Sequence, residues 1–240
     1  FEGLNRIDNH GNVKPAVATK SVPSKDGKTW TFTLRKNARW SNGDPVTADD
    51  FVYSLQRTLD PKTHSQQQNI YQAVKNADEV VAGKVSSTKL GVEAKDKHTL
   101  VVHLKHPVPY FKTMTASTWD PVNKKVVEKY GKKYGTTSKY MVYNGPYVHK
   151  GWTGSNLTWK LKKNPYYWDH QNVKLDTVNY TVQKTPSTDY NLYQSKKLDG
   201  AFLDTQASKQ LKHQKDYRVF NLDRTEYLTY SLTNNKDLAN

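Results

Sequence analysis

The sequence contains no cysteine, so the chain can form neither a disulfide bond nor a metal site with thiolate ligands. It also has no apolar run of the roughly 18 residues that a membrane-spanning helix requires. The signatures of several enzyme classes are missing as well, since no GxSxG, HExxH, GxGxxG or Walker A pattern occurs. These absences predict a protein that is not an enzyme and uses no cofactor.

Two pairs of titratable residues could indicate a metal site or catalytic carboxylates, but each has a simpler explanation. His103 and His106 lie three residues apart on a predicted strand, which places their rings on opposite faces. Asp49 and Asp50 lie in the first turn of a predicted helix, where negative charge complements the helix dipole. We therefore expect surface histidines, helix-capping carboxylates and no metal.

Negative charge is scarce, with 22 acidic residues against 37 basic ones and a net charge of +15. A basic chain suggests nucleic-acid binding, because neutralised phosphates release counterions. However, arginine is rare and the lysines are spread out. Their densest group, between Lys124 and Lys133, is interrupted by valines and a tyrosine, as in an amphipathic helix. We expect no specific nucleic-acid partner, but a diffuse attraction to anionic cell-wall polymer or lipid headgroups.

Residues 30–61 carry the most informative pattern of the sequence. In Trp30–Arg35, large apolar residues alternate with threonine and arginine, which predicts a half-buried strand. Asn42-Gly43 is typical of a tight turn. Thr47 is then a predicted helix N-cap, with Asp50 as the acid of a weak capping box.

The predicted helix that follows Thr47 has one apolar face, formed by Phe51, Leu55 and Leu59. Val46 and Phe51 occupy the positions of a hydrophobic staple. Pro61 should end the helix.

Further along, the pattern predicts a hairpin and then a more strand-rich region. The hairpin joins Leu90–Ala94 to Leu100–Lys105, with Leu100, Val102 and Leu104 alternating. A loop or hinge is expected at 131–138. The later elements are predicted strands at 145–148, 157–161 and 178–182, a helix at 187–195 and an apolar strand at 197–202. The last strand, helix and strand resemble a βαβ unit.

Segment 30–61 resembles the family 5 solute-binding proteins of ABC importers, and most of all their oligopeptide-binding members. Other segments resemble motifs of the same family, in the same order. They are Phe1-Glu2-Gly3-Leu4, His106–Phe111, Asn144–Tyr147 and Lys163–Trp168. Family members are much longer than this chain, so the resemblance predicts that the chain is a fragment.

The resemblance implies an α/β (α+β) fold like that of type II periplasmic-binding proteins, in incomplete form. Residues 1–138 would form the family-specific α+β domain. Residues 139–240 would form the central part of the first ligand-binding lobe, with a mixed sheet. The expected location is the extracellular face of the cell membrane, through a lipid on an upstream cysteine, or the periplasm.

The function implied by the resemblance is capture of extracellular oligopeptides for delivery to an ABC permease in the membrane, by a monomer. Main-chain hydrogen bonds would hold the peptide, because backbone groups are common to every peptide. Candidate ligand contacts that match ligand-facing segments of the family are Phe202, Tyr227, Thr229 and Tyr230. Gln67 and Tyr71 are further candidates, because they lie in a segment that can reach the cleft from the extra domain.

Each candidate aromatic has core packing or a sheet edge as its alternative, and this alternative is favoured for Tyr71. Asn144-Gly145 is expected to shape a hinge-side turn rather than to contact ligand. Phe202 stands where the family often has tyrosine, so it offers no hydroxyl for a hydrogen bond.

Two alternative functions stay open at this point. The chain could bind another solute of the same family, such as a dipeptide, a nickel complex or a sugar. It could instead be a basic surface protein that adheres to cell-wall polymer or host matrix, through contacts that weaken with salt.

Overall fold

The structure, a computed structural model, describes residues 1–219. The chain divides into two compact units, one from Phe1 to Phe202 and a second that begins at Leu203. The predicted division near residue 138 lies within the first unit and stays a prediction. Among residues 1–219, no helix is both long and apolar enough to cross a bilayer.

The secondary structure of these residues is mixed. The strands are β1 (Asn5–Ile7), β2 (Val13–Pro15), β3 (Ala18–Pro23), β4 (Thr29–Leu34), β5 (Val92–Asp96), β6 (Thr99–His103), β7 (Tyr147–Lys150), β8 (Thr158–Lys163) and β9 (Thr177–Thr181). The α-helices are α1 (Ala48–Leu59), α2 (Ala77–Val81), α3 (Phe111–Ser117), α4 (Lys124–Tyr130), α5 (Pro186–Gln194) and α6 (Thr205–Leu211).

The strands form three antiparallel sheets. A ribbon pairs β1 with β2, a four-stranded sheet has the order β3-β4-β6-β5, and a three-stranded sheet has the order β7-β8-β9. The predicted α+β character is confirmed. The mixed sheet expected from the resemblance is not seen within residues 1–219.

The four-stranded sheet carries the main hydrophobic core. Trp30 and Phe32 of β4 are buried and lie opposite Val102 and Leu100 of β6, so the alternation predicted for residues 30–35 is confirmed. The predicted hairpin forms, and Leu100, Val102 and Leu104 are buried as their alternation predicts; Val101, between them, is buried as well. Strand β6 lies between β4 and β5, and neighbouring side chains on both sides shield its second face.

Helix α1 packs on this sheet as its apolar face predicts. Phe51, Leu55 and Leu59 are buried, and so is Val46 at the staple position. The helix ends before Asp60, whose backbone is extended because Pro61 disfavours helical geometry in the residue before it. The start, face and end of α1 are thus confirmed.

The N-terminus of α1 is held mainly by Asp50. Its Oδ2 atom accepts hydrogen bonds from the Thr47 backbone N–H at 2.9 Å and from Trp40 Nε1 at 3.2 Å. Thr47 Oγ1 lies farther from the same oxygen, at 3.4 Å. Asp50 is thus a capping residue. Burial of its carboxylate raises its pKa from 3.8 to about 6, against the opposing effect of the hydrogen bonds.

We expect Asp50 to make folding stability depend on pH. An acid whose pKa is raised by folding binds more protons in the folded state, so stability falls as pH rises from 3.8 to about 6. At about 1.4 kcal/mol per pKa unit, the loss is about 3 kcal/mol at most. Asp50→Asn should flatten this slope, as measured by urea denaturation at a series of pH values. Asp49→Asn, on the exposed neighbouring residue, is the control. An unchanged slope in the Asp50 variant would contradict the assignment.

The region after α3 contains the predicted lysine-rich helix, α4, and the three-stranded sheet. Val126 of α4 is buried while Lys124, Lys125 and Lys129 are exposed, which confirms an amphipathic helix with a solvated face. Strands β7, β8 and β9 and helix α5 lie close to their predicted positions.

The strand predicted at 197–202 is wrong. These residues have no strand partner within the described part of the chain, so no βαβ unit forms there. A strand is stable only through pairing with a neighbour, and a short apolar run alone does not supply one.

Candidate functional site

Tyr71 lies in the hydrophobic core. It is 2% exposed, and its ring meets Trp119 edge-on, with the ring centroids 5.8 Å apart. Its hydroxyl and Thr118 Oγ1 are 2.6 Å apart, and burial raises the pKa of the phenol. Core packing, the favoured alternative, accounts for these contacts. Ligand contact by Tyr71 stays a prediction.

Gln67 and Phe202 are both exposed. Gln67 precedes a short 3-10 helix, Gln68–Tyr71, so the structure places it close to Tyr71 along the chain. Phe202 is 86% exposed. A phenylalanine so exposed is available to a partner, and its ligand contact stays a prediction. The remaining candidates, Tyr227, Thr229 and Tyr230, lie outside the described residues.

Three of the segments that resemble family motifs contact one another in the structure, although they are far apart in the sequence. We call this group the motif cluster, and it consists of Glu2, Asn144, Asn164, Tyr167 and Trp168. The Glu2 carboxylate accepts hydrogen bonds from the Tyr167 hydroxyl and from Trp168 Nε1. Glu2 is only 7% exposed, so these bonds satisfy a carboxylate that is mostly removed from water.

Two buried asparagines form hydrogen bonds with the backbone near this carboxylate. Asn144 Oδ1 accepts from the Glu2 N–H at 3.1 Å, and its Nδ2 donates to the Glu2 carbonyl at 2.7 Å. Asn164 Nδ2 donates to the Gly145 carbonyl at 2.9 Å. A side chain at Gly145 would crowd the backbone of the first residue, because an added Cβ would lie 3.0 Å from the Phe1 carbonyl oxygen. Asn144 therefore binds the Glu2 backbone through both atoms of its side-chain amide. Its role in shaping a hinge-side turn stays a prediction.

Two arginines lie beside the motif cluster and place positive charge near its Glu2 carboxylate. The Arg35 guanidinium lies 3.6 Å from the centre of the Trp168 ring, in a cation–π contact. Arg6 Nη1 lies 3.7 Å from Glu2 Oε1 and 3.7 Å from Asp169 Oδ2. Burial raises the pKa of Glu2, and the hydrogen bonds and the arginines partly offset that rise.

The motif cluster is a structural junction rather than a reactive site. Its donors and acceptors are directed at one another, which fixes the segment around Glu2 and the segment after β8 in one arrangement. The sequence signal was present, because these residues belong to three segments with family resemblance. Their convergence was missed, because nothing local in the sequence links residue 2 to residue 167.

The histidines form no metal centre in the described part of the chain. Among residues 1–219, no group of three or more His, Asp or Glu side chains could hold a metal ion. His103 contacts Thr29 and Glu93, and the His106 ring lies 3.3 Å from the Pro107 carbonyl oxygen.

Comparison with known proteins assigns the family. The family model of bacterial extracellular solute-binding proteins, family 5 Middle, matches residues 12–240. The chain belongs to this family. Members of family 5 are solute-binding proteins, and the resemblance seen in the sequence is confirmed.

Relatives within family 5 include peptide-binding proteins. The chain is 41% identical over 235 residues to the dipeptide-binding protein of Lactococcus lactis subsp. cremoris, covering 96% of this chain and 43% of the relative. It is 45% identical over 202 residues to the periplasmic oligopeptide-binding protein OppA of Salmonella typhimurium, covering 83% of this chain and 37% of the relative. The chain thus spans less than half the length of these relatives.

Solved structures of family 5 proteins agree in fold. Listeria monocytogenes OppA bound to peptide has a TM-score of 0.84 and 40% identity, covering 90% of this chain and 43% of that structure. The pheromone receptor PrgZ, whose mode of peptide binding was determined, has a TM-score of 0.84 and 37% identity, covering 91% and 44%. These similarities confirm the type II periplasmic-binding-protein fold for the part that the chain covers.

Proposed function

We propose that this family 5 chain belongs to the substrate-binding component of an ABC importer and binds extracellular oligopeptides for transfer to a membrane permease. The observation that carries the proposal is its similarity to a peptide-bound OppA, with a TM-score of 0.84 at 40% identity. At this identity the backbone that positions ligand contacts is expected to be shared. The chain performs no covalent chemistry, uses no cofactor and acts as a monomer.

The proposed ligand contacts are Phe202 and Gln67 within the described residues, with Tyr71 in a supporting position. The exposed Phe202 ring suits this role, because it has apolar area that a peptide side chain can cover. Tyr227, Thr229 and Tyr230 complete the proposed set. The proposed domain arrangement is 1–138 as the extra domain and 139–240 as part of a lobe.

The proposed location is the outer face of the cell membrane or the periplasm. It is supported by the family, whose members are extracellular, and by the relative from Salmonella, which is periplasmic. A lipid anchor belongs to the same proposal.

The second candidate function is dipeptide binding. It is favoured by the Lactococcus relative, which covers 96% of this chain and is a dipeptide-binding protein. A dipeptide would reach fewer of the proposed contacts than an oligopeptide, because its main chain has fewer groups to pair. The two functions therefore predict different dependences of affinity on peptide length.

We expect calorimetric titration with peptides of graded length to show that affinity increases beyond the dipeptide. Phe202→Ala should weaken oligopeptide binding about tenfold, or about 1.4 kcal/mol, because this variant has no ring to bury on binding. Tyr110→Ala removes another exposed aromatic ring, at a position outside the proposed site, and should leave affinity unchanged. Equal affinity for dipeptides and longer peptides would favour the second candidate. Absence of binding at every length would overturn both.

A further inference from the structure

The sequence contains two Asn-Gly pairs, Asn42-Gly43 and Asn144-Gly145, and the structure places them in contrasting surroundings. Asparagine is a thermolabile residue. It is most reactive before glycine, because the glycine nitrogen attacks the side-chain amide and glycine has no Cβ to obstruct that approach. The two pairs are thus chemically alike, so the structure around each pair decides which asparagine reacts.

The Asn144 side chain is held away from this reaction. It is 3% exposed, and both its Oδ1 and its Nδ2 atom are hydrogen-bonded to the backbone of Glu2, at 3.1 and 2.7 Å. The backbone of Gly145 lies directly against that of Phe1. Attack on Asn144 therefore requires the motif cluster to open, and its rate is limited by the small fraction of molecules in which the cluster is open.

Asn42 is exposed, and the hydrogen bonds of its side chain stay within one turn. Its Oδ1 atom accepts from the Asp44 N–H at 3.2 Å, and its Nδ2 atom donates to Asp44 Oδ2 at 2.9 Å. Both bonds direct the side chain forward along the backbone, past the Gly43 nitrogen that attacks it. The Gly43 N–H donates to the Trp40 carbonyl oxygen at 2.8 Å, so a fluctuation that opens this exposed turn is sufficient for reaction.

We propose that Asn42 is a site of spontaneous deamidation and that the motif cluster protects Asn144 from the same reaction. The Gly43 nitrogen forms a bond to Cγ of Asn42, the Cγ–Nδ2 bond breaks, and the Gly43 amide proton leaves with the side-chain nitrogen as ammonia. Water then hydrolyses the resulting succinimide ring. Opening at Cγ gives aspartate, and opening at the main-chain carbonyl gives isoaspartate, in which the backbone runs through Cβ and Cγ.

Deamidation at position 42 weakens the contact between this turn and Tyr143. The Ser41 N–H donates to the Tyr143 carbonyl oxygen at 2.7 Å, and Ser41 Oγ accepts from the Tyr143 N–H at 3.0 Å. An aspartate at position 42 has no donor for Asp44, so two carboxylates face each other where an amide and a carboxylate did. Isoaspartate also lengthens the backbone between Ser41 and Gly43 by one carbon atom.

The test is storage of the purified chain at mildly alkaline pH, followed by proteolytic peptide mapping with mass spectrometry, which resolves the exchange of an amide for a carboxyl group. In the folded chain, Asn42 should deamidate at least about tenfold faster than Asn144, which corresponds to about 1.4 kcal/mol in the free energy of local opening. In concentrated urea the two rates should agree within about threefold, because neither asparagine is then protected. Equal rates in the folded chain, or a faster reaction at Asn144, would overturn the proposal.

Glu2→Gln tests whether the motif cluster provides the protection. This variant keeps the backbone groups that bind Asn144 but weakens the hydrogen bonds that Tyr167 and Trp168 donate to the side chain at position 2. It should accelerate deamidation of Asn144 about tenfold in the folded chain, while the rate at Asn42 changes less than about twofold. An unchanged rate at Asn144 would show that its protection has another source.

Asn42→Asp reproduces one product of the reaction and tests its consequence. The variant should have a lower urea denaturation midpoint than the unmodified chain, because the aspartate repels Asp44 within the turn. Asn9→Asp makes the same change of charge at another exposed turn residue and should leave the midpoint nearly unchanged. Equal midpoints for Asn42→Asp and the unmodified chain would show that deamidation at this turn has no effect on the fold.

Discussion

Glu2→Ala is expected to destabilise the first unit by about 2 to 5 kcal/mol, because two donors would each be left without an acceptor at a cost of about 1 to 3 kcal/mol. The Tyr167 hydroxyl and Trp168 Nε1 would lose their shared acceptor in a buried position. Arg6 would lose one of its two carboxylate partners. Urea denaturation followed by tryptophan fluorescence would measure the change.

Glu2→Gln provides the graded control for this experiment. Its amide oxygen can still accept one hydrogen bond while the charge is removed, so a smaller cost of about 1 to 2 kcal/mol is expected. A midpoint for Glu2→Ala equal to that of the unmodified chain would show that the motif cluster does not contribute to stability.

The same substitution should greatly reduce stability at one phenylalanine and leave it nearly unchanged at another. Phe51 is fully buried under the four-stranded sheet, and Phe51→Ala should cost about 3 to 5 kcal/mol through reduced burial and a residual cavity. Phe202 is 86% exposed, and Phe202→Ala should change stability by less than about 0.5 kcal/mol.

Thermal and urea denaturation of both variants would check this pair of expectations. A large loss of stability in Phe202→Ala would mean that its ring is packed against protein and is not available to a peptide. That outcome would also remove the structural basis for Phe202 as a ligand contact.

The sequence was a good guide where local patterns decide the structure. Helix α1 begins after Thr47, buries Phe51 and ends before Pro61, because capping, periodicity and proline geometry act within a few residues. The sequence predicts the structure less well where residues that are far apart in the chain determine it. The burial of Val101 depends on strands on both sides, and the strand expected at 197–202 needs a neighbour that no local pattern reveals.

The site shows the same division. Resemblance in short segments was enough to assign the family, and the matching family model confirms it. It did not reveal that Glu2, Asn144 and Trp168 share one network, since a buried carboxylate and an exposed one look alike in sequence.

The large sequence separation between the members of the motif cluster limits when the cluster can form. Glu2 finds its two donors 165 and 166 residues later in the sequence. At about 5 to 20 residues per second, the ribosome adds Trp168 roughly 8 to 30 seconds after Glu2. During that interval the Glu2 carboxylate has neither of these two donors, whereas all four strands of the four-stranded sheet have been made once residue 103 is added. Closure of the cluster therefore cannot precede the addition of Trp168.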